Sequence, residues 1–228
     1  MWKIHTLTNA SRNPRYNSHF AGYGLGWFLT DVNGNMIVSH TGGMPGMLSK
    51  VVMIPDMDLG VVVLTNTSNN GAYAFMSITQ TIIDSYLDVP EKDWTTFYSN
   101  YMQKKGAIAD SVTLDVWAKV ASNSKLELIN SDYTGVYRDK WFGDVEVYMN
   151  GDQLWFKSLR SPKLNGPLAY YNANTFAIRW EYRDMEADAF AMFVLNEKGQ
   201  AIGIKMKGIS PNIDFSYDFH DLDFIRVD

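Results

Sequence analysis

Hydrophobic and polar positions change period several times along the chain, and each change marks an element. Residues 1–22 show little periodicity; turn formers in NASRNPRYNS (9–18) predict loop with at most a short helix. Over residues 23–30 Tyr23, Leu25, Trp27 and Leu29 alternate with Gly24, Gly26 and other residues, the two-residue period of a strand. Asn33-Gly34 suits a tight hairpin, because both central positions of a type I′ turn need φ > 0. Residues 36–40 return as a second strand, 47–55 form a third, 56–60 a turn, and 61–66 a fourth strand buried on both faces. From Gly71 to Asp88 the period is helical, with Ala74, Ile78, Ile82 and Tyr86 stacked on one face. Pro90 stops that helix, and residues 68–71 supply candidate caps.

Residues 91–130 carry apolar positions at mixed i, i+3 and i+4 spacing and read as a partly helical linker. Beyond it strands follow one another at 133–138, 144–150, 152–158, 168–172, 174–182, 188–196, 201–207, 214–219 and 222–227, with turns at Asn150-Gly151 and 196–199. Such a series predicts a sandwich or a barrel. A barrel is favoured because closure removes exposed strand edges. Trp141, Trp155, Phe156, Phe176 and Trp180 then form its core, although a barrel interior also has room for one small apolar ligand. The expected fold class is α+β, mainly β: antiparallel strands with one packing helix over 1–90, a linker over 91–130, and an antiparallel barrel over 131–228.

Composition narrows the function. With 46% hydrophobic and 20% charged residues the chain is globular. A net charge of −5 with no Lys/Arg cluster excludes a nucleic-acid footprint. No apolar run reaches the ~18 residues of a membrane span, and the first residues show no signal-peptide core. The absence of Cys removes disulfides, thiolate metal sites and a Cys nucleophile together.

The chemistry centres on SHTGGMPGMLSK (39–50). A strand end with a polar side chain beside small residues lets a ligand lie against the main chain, and a freed backbone N–H there serves as an oxyanion donor. The same glycines with Pro45 and Gly46 equally describe a tight connection capped by His40. His5, His19 and His220 show no metal-like spacing. Asp214, Asp218, Asp221, Asp223 and Asp228 fit no EF-hand loop, and strand alternation would place them on two faces.

Context favours the site. The stretch from YGLGW (23–27) through HTGG (40–43) and PGMLSKV (45–51) to GVVVLTN (60–66) resembles the last strands of the serine β-lactamase/penicillin-binding-protein-like family, in its class C β-lactamase and esterase branch. The third motif there is Lys/His-Thr-Gly followed by a small residue, and the helix at 71–88 matches that fold's C-terminal helix. The resemblance spans about residues 1–90. It implies acyl transfer at an amide or ester of a small-molecule or peptide substrate, without cofactor or metal. His40 would favour an anionic or polar transition state, Thr41 would contact substrate, and the Gly43 N–H would complete the oxyanion hole. Residues 131–228 resemble a lipocalin-like domain often appended to such hydrolases, and the family implies a periplasmic or secreted parent.

The family's nucleophilic Ser-x-x-Lys and its Tyr-x-Asn precede this motif, and no residue before His40 spells either. Ser122-Asn123-Ser124-Lys125, Tyr98-Ser99-Asn100, Tyr148-Met149-Asn150 and Tyr170-Tyr171-Asn172 all follow it, in the wrong order. A nucleophile also needs its adjacent base. The chain therefore reads as the C-terminal piece of a longer hydrolase, inactive alone, whose incomplete sheet favours homo-oligomers. The alternative is a non-catalytic ligand-binding or interaction barrel with an N-terminal scaffold.

Overall fold

A computed structural model describes residues 1–9, 14–68, 70–123, 130–214 and 216–228. The chain divides into two units, Met1–Lys104 and Lys105–Asp228.

The first unit is an antiparallel six-stranded sheet in sequence order: β1 (Thr6–Leu7), β2 (Ala21–Tyr23), β3 (Phe28–Val32), β4 (Asn35–Met44), β5 (Met47–Ile54) and β6 (Leu59–Thr65). Asn33 (φ 46°) and Gly34 (φ 81°) make the expected tight turn between β3 and β4. Two expectations are corrected here. The strand expected over 23–30 is a hairpin, because Gly26 takes φ 82° and the Gly24 N–H donates to the Trp27 carbonyl at 2.8 Å. The expected loop or short helix at the start contributes the short strand β1, paired Thr6 with Tyr23 and Leu7 with Gly22.

Helix α1 (Gly71–Tyr86) packs on β5 and β6. The expected stack of Ala74, Ile78, Ile82 and Tyr86 is not the buried face; Ile78 and Tyr86 are exposed, and Phe75, Thr79 and Ile83 point inward instead. Polar residues sit on that face at little cost because their hydroxyls bond within the helix. Ser77 donates to the Tyr73 carbonyl and Thr79 to that of Phe75, each at 2.8 Å. Asn70 takes helical backbone angles at the cap position and makes no side-chain cap bond. Under α1, Tyr16, Val32, Ile37, Val52, Ile54, Ile83 and Trp94 form one core cluster, and Val61, Val63 and Phe75 a second. The strand expected to be buried on both faces, β6, is buried on one: Val62 is 63% and Leu64 77% exposed.

Helix α2 (Trp94–Ser122) runs unbroken through Gly106 in the segment read as a partly helical linker, and the division between units falls within it. No helix among the described residues is long and apolar enough to cross a membrane.

The second unit is a closed up-and-down barrel of eight antiparallel strands: β7 (Gly135–Asp139), β8 (Gly143–Asn150), β9 (Gln153–Ser158), β10 (Asn165–Asn172), β11 (Thr175–Ile178), β12 (Ala189–Leu195), β13 (Ala201–Gly208) and β14 (Asp223–Arg226). Ile225 pairs with Arg138 to close the ring. The strand expected at 214–219 does not form among its described residues, which lead into a 3₁₀ turn, Phe219–Asp221. Phe156, Phe176, Trp180, Phe193 and Phe224 fill the interior with Tyr137. Their polar tips are satisfied: Tyr137 Oη donates to the Tyr133 carbonyl and Trp180 Nε1 to that of Ala187, both at 2.7 Å. Trp141, expected in the core, is 65% exposed at the β7–β8 turn, where its N–H and that of Phe142 donate to the Asp139 carboxylate.

Asp84 ties the first unit together. Its buried carboxylate accepts from Arg15 Nη2 (2.5 Å), Tyr16 Oη (2.6 Å) and Trp94 Nε1 (2.6 Å), and Arg15 also donates to the Pro90 carbonyl. Burial opposes ionisation, but these donors outweigh it and hold the carboxyl below the usual range. A folded pKa below the unfolded value of about 3.9 means that this stabilisation is complete above that value. It is lost as pH falls through the folded pKa. Asp84→Asn should cost roughly 2–4 kcal/mol at neutral pH, since it leaves donors unmatched in a buried network. Urea unfolding across about pH 6 to 2 should show a shallower acid-side loss of stability in the variant. An unchanged midpoint at neutral pH would contradict this role.

Candidate functional site

The pairing of β4 sets the geometry. On one side β4 pairs with β5 along its whole outer half, from Val38↔Met53 to Met44↔Met47. On the other side β3 stops at Phe28↔Ser39. The segment from His40 to Met44 therefore has a strand on one side and, among the described residues, none on the other.

Backbone parity then decides which groups face the open side. In an antiparallel pair, alternate residues turn both N–H and C=O to the same neighbour. The β4–β5 turn has Pro45 at its first central position and Gly46, at φ 87°, at its second, the requirements of a type II turn. A two-residue turn closes on a bonded pair, here Met44↔Met47, so Met44, Gly42 and His40 bond to β5. Thr41 and Gly43 therefore face outward. The other hairpin agrees, since its closing pair Val32↔Asn35 turns odd-numbered residues of β4 toward β3. The carbonyl of Leu48, partner of Gly43, points away from β4 and accepts from Thr65 Oγ1 at 3.0 Å. HTGG is thus extended strand, and the tight turn comes after it.

Thr41 and Gly43 are exposed and His40 half-buried. His40 Nε2 lies 3.0 Å from Tyr23 Oη. Its ring stacks on Phe28 at 5.9 Å and meets Trp27 edge-on at 6.5 Å. Tyr23, Trp27 and Phe28 are the site residues that pattern reading missed as partners. Their signal was the YGLGW stretch itself, whose hairpin places its first and last aromatics beside His40.

The other candidates belong to other elements. Ser122 ends α2, exposed, with Oγ donating to the Lys119 carbonyl at 2.7 Å; Ser124 and Lys125 lie outside the described residues. Tyr98 stacks on Trp94, Tyr148 belongs to β8, and Tyr170 packs against the barrel core. His19, read as an ordinary polar residue, pairs Nδ1 to the buried Asp31 carboxylate at 2.8 Å. Burial disfavours the Asp31 anion, but the His19 and Phe20 backbone N–H groups and the His19 ring hold its pKa down. Asp218 and Asp221, expected to be dispersed by strand alternation, and His220, expected to have no metal-like spacing, have ligand atoms within 4.8 Å of one another around the 3₁₀ turn Phe219–Asp221; His220 and Asp221 are exposed.

Residues 3–81 match the beta-lactamase family model, and residues 119–226 match a domain of unknown function, DUF3471. The chain is similar to the unguisins hydrolase of Aspergillus campestris, at 33% identity over 115 residues. That match covers 49% of this chain and 21% of the relative. It is also similar to the unguisins hydrolase of Aspergillus violaceofuscus, at 30% over 133 residues, covering 56% and 24%. The chain thus matches less than a quarter of the length of either curated relative. Among solved structures, the octameric penicillin-binding protein homologue from Pyrococcus abyssi aligns with TM-score 0.33 and 18% identity, over 99% of this chain and 40% of that one. SurE aligns with TM-score 0.34 and 14% identity, over 90% and 38%.

The hairpin at the start of this site rests on a backbone contact. A Cβ on Gly24 would lie 2.3 Å from the Met1 carbonyl oxygen and 3.0 Å from that of Lys3. Gly24→Ala should therefore lower stability by about 1–3 kcal/mol and speed amide exchange over residues 1–7 and 21–28. Unchanged exchange there would show that the terminal segment does not brace the His40 surround.

Proposed function

We propose, for a chain whose first unit is related to the β-lactamase and penicillin-binding-protein-like serine hydrolases, that residues 1–90 supply the His-Thr-Gly wall of an acyl-transfer site. The observation that carries this reading is the outward Gly43 N–H on the open edge of β4, next to Thr41 and His40. In attack on an amide or ester carbonyl, negative charge develops on oxygen. A fixed N–H aimed at that oxygen stabilises the transition state more than the ground state. Thr41 offers a hydroxyl and main-chain groups on the same edge to align a substrate. His40, seated by Tyr23, Trp27 and Phe28, places a polar ring beside it.

The nucleophile and its base belong to other parts of a longer protein, and this chain alone does not turn over substrate. The relatives named unguisins hydrolases support a hydrolytic parent; an amide or ester of a small molecule or peptide is the bond this reading assigns to it. Domain limits of 1–90, 91–130 and 131–228 belong to the same reading. With this chain alone, a chromogenic ester and a chromogenic cephalosporin should hydrolyse at background rate. Mass spectrometry after a serine-directed phosphonate should show no stoichiometric adduct. An adduct on Ser122, with turnover abolished by Ser122→Ala, would make the chain a complete enzyme and overturn the proposal.

Association through the sheet is part of this reading. Among the described residues, strand β6 ends the sheet with an unpaired edge and bears exposed Val62 and Leu64, a template for pairing with another copy. Sedimentation should show concentration-dependent dimers or larger species that Val62→Lys with Leu64→Lys dissociates. A clean monomer at high concentration would refute it.

A further inference from the structure

A cavity of about 230 Å³ lies in the first unit between α1 and the face of the sheet that α1 covers. Its apolar wall is Val32, Ile37, Val52 and Ile83. Its cation is Lys50, whose Nζ is 2.8 Å from Met76 Sδ and 5.7 Å from the centre of the Phe75 ring. No carboxylate ion-pairs with Lys50 among the described residues, although the chain carries 25 acidic residues against 20 basic ones. A thioether and a ring face are poor substitutes for water around an ammonium group. Burial accordingly pushes the Lys50 pKa below its ordinary value.

The hydroxyls around the cavity are of two kinds. Thr79 donates to the Phe75 carbonyl and Thr30 to that of Phe20. Ser18 and Ser39 line the same space, and their hydroxyls make no hydrogen bond among the described residues. Register puts Ser39 next to Lys50: Ser39 pairs with Val52 and Thr41 with Lys50, so Ser39 and Lys50 are diagonal neighbours on one face. One cation and free hydroxyl donors thus adjoin an apolar wall, in a space below the about 300–1,000 Å³ of drug-sized sites.

We propose that this cavity binds a small monocarboxylate with a short aliphatic tail, its carboxylate on Lys50 and Ser39 and its tail against Val32, Ile37, Val52 and Ile83. A dianion such as phosphate would bring a second charge that the lining does not match, and would leave the apolar wall unused. A neutral molecule would leave the ammonium unpaired. The site is on the face of the sheet that α1 covers and adjoins the open edge of β4, since Lys50 is the cross-strand partner of Thr41; the proposal does not rest on the hydrolase reading.

Butyrate titrated into the full chain, followed by NMR of labelled lysine side chains and methyl groups, tests this. The Lys50 resonances and the methyls of Val32, Ile37, Val52 and Ile83 should move together on one saturable millimolar curve. Butan-1-ol should bind at least tenfold more weakly. Lys50→Met keeps the length of the side chain and removes a desolvated charge, so it should remain folded by circular dichroism and weaken butyrate at least tenfold. Ser39→Ala should weaken it several-fold and serves if Lys50→Met does not fold. Absence of a saturable shift in the unaltered chain would overturn the proposal. So would equal binding of butyrate and butanol, or equal butyrate affinity in a folded Lys50→Met.

Discussion

Two-residue hairpins at both ends fix the parity of β4, and the open edge at His40 depends on that parity. Asn33-Gly34 at one end and Pro45-Gly46 at the other independently turn the odd-numbered residues away from β5. A slip of one residue in either turn would exchange the two sets of backbone groups. It would bury the Gly43 N–H in the β5 ladder and send Ile37 and Ser39 to the other face. The core cluster around Ile37 and Val52 opposes such a slip. The packing that stabilises the sheet is thus also what aims the main chain at the edge.

The Asp84 network plays the complementary part at the back of the sheet. Tyr16 and Arg15 come from the segment before β2, Asp84 from α1 and Trp94 from the start of α2, so one carboxylate joins three parts of the first unit that are far apart in sequence. Tyr16 also gives its carbonyl to the Asn33 N–H at 2.7 Å, which carries the same bracing to the β3–β4 hairpin. A single buried acid with matched donors positions elements that local propensity would leave loose.

Much of this was legible from the residues, and the failures have physical causes. Turn chemistry at Asn33-Gly34 and two-residue alternation found the strands, and the serial alternation beyond residue 130 found the barrel. The motif HTGG was visible, whereas its partner Tyr23 was not, because a glycine at φ 82° folded back what alternation read as one strand. Helix α1 was placed correctly but turned to the wrong face, since apolar character pointed to Ile78 while hydroxyls bonded inside the helix made Thr79 the buried choice. Burial of β6 was overestimated for a related reason. Val-Val-Val-Leu states that a strand tolerates burial, not that both of its faces are covered.

The two units handle strand edges in opposite ways. The barrel pairs every strand with two neighbours and packs its interior with aromatic rings, so it offers no open ladder. Among the described residues, the sheet keeps an unpaired stretch on β4, an edge on β6, exposed apolar side chains at Val62 and Leu64, and a cavity holding a lysine without an ion-paired acid. Each of these costs stability in isolation, through unmatched backbone groups, exposed apolar area or a desolvated charge. Their gathering in one unit is what the two proposals made above rest on. On those proposals, the backbone on the open side of β4 and the ammonium of Lys50 are the groups of the first unit that a ligand would meet.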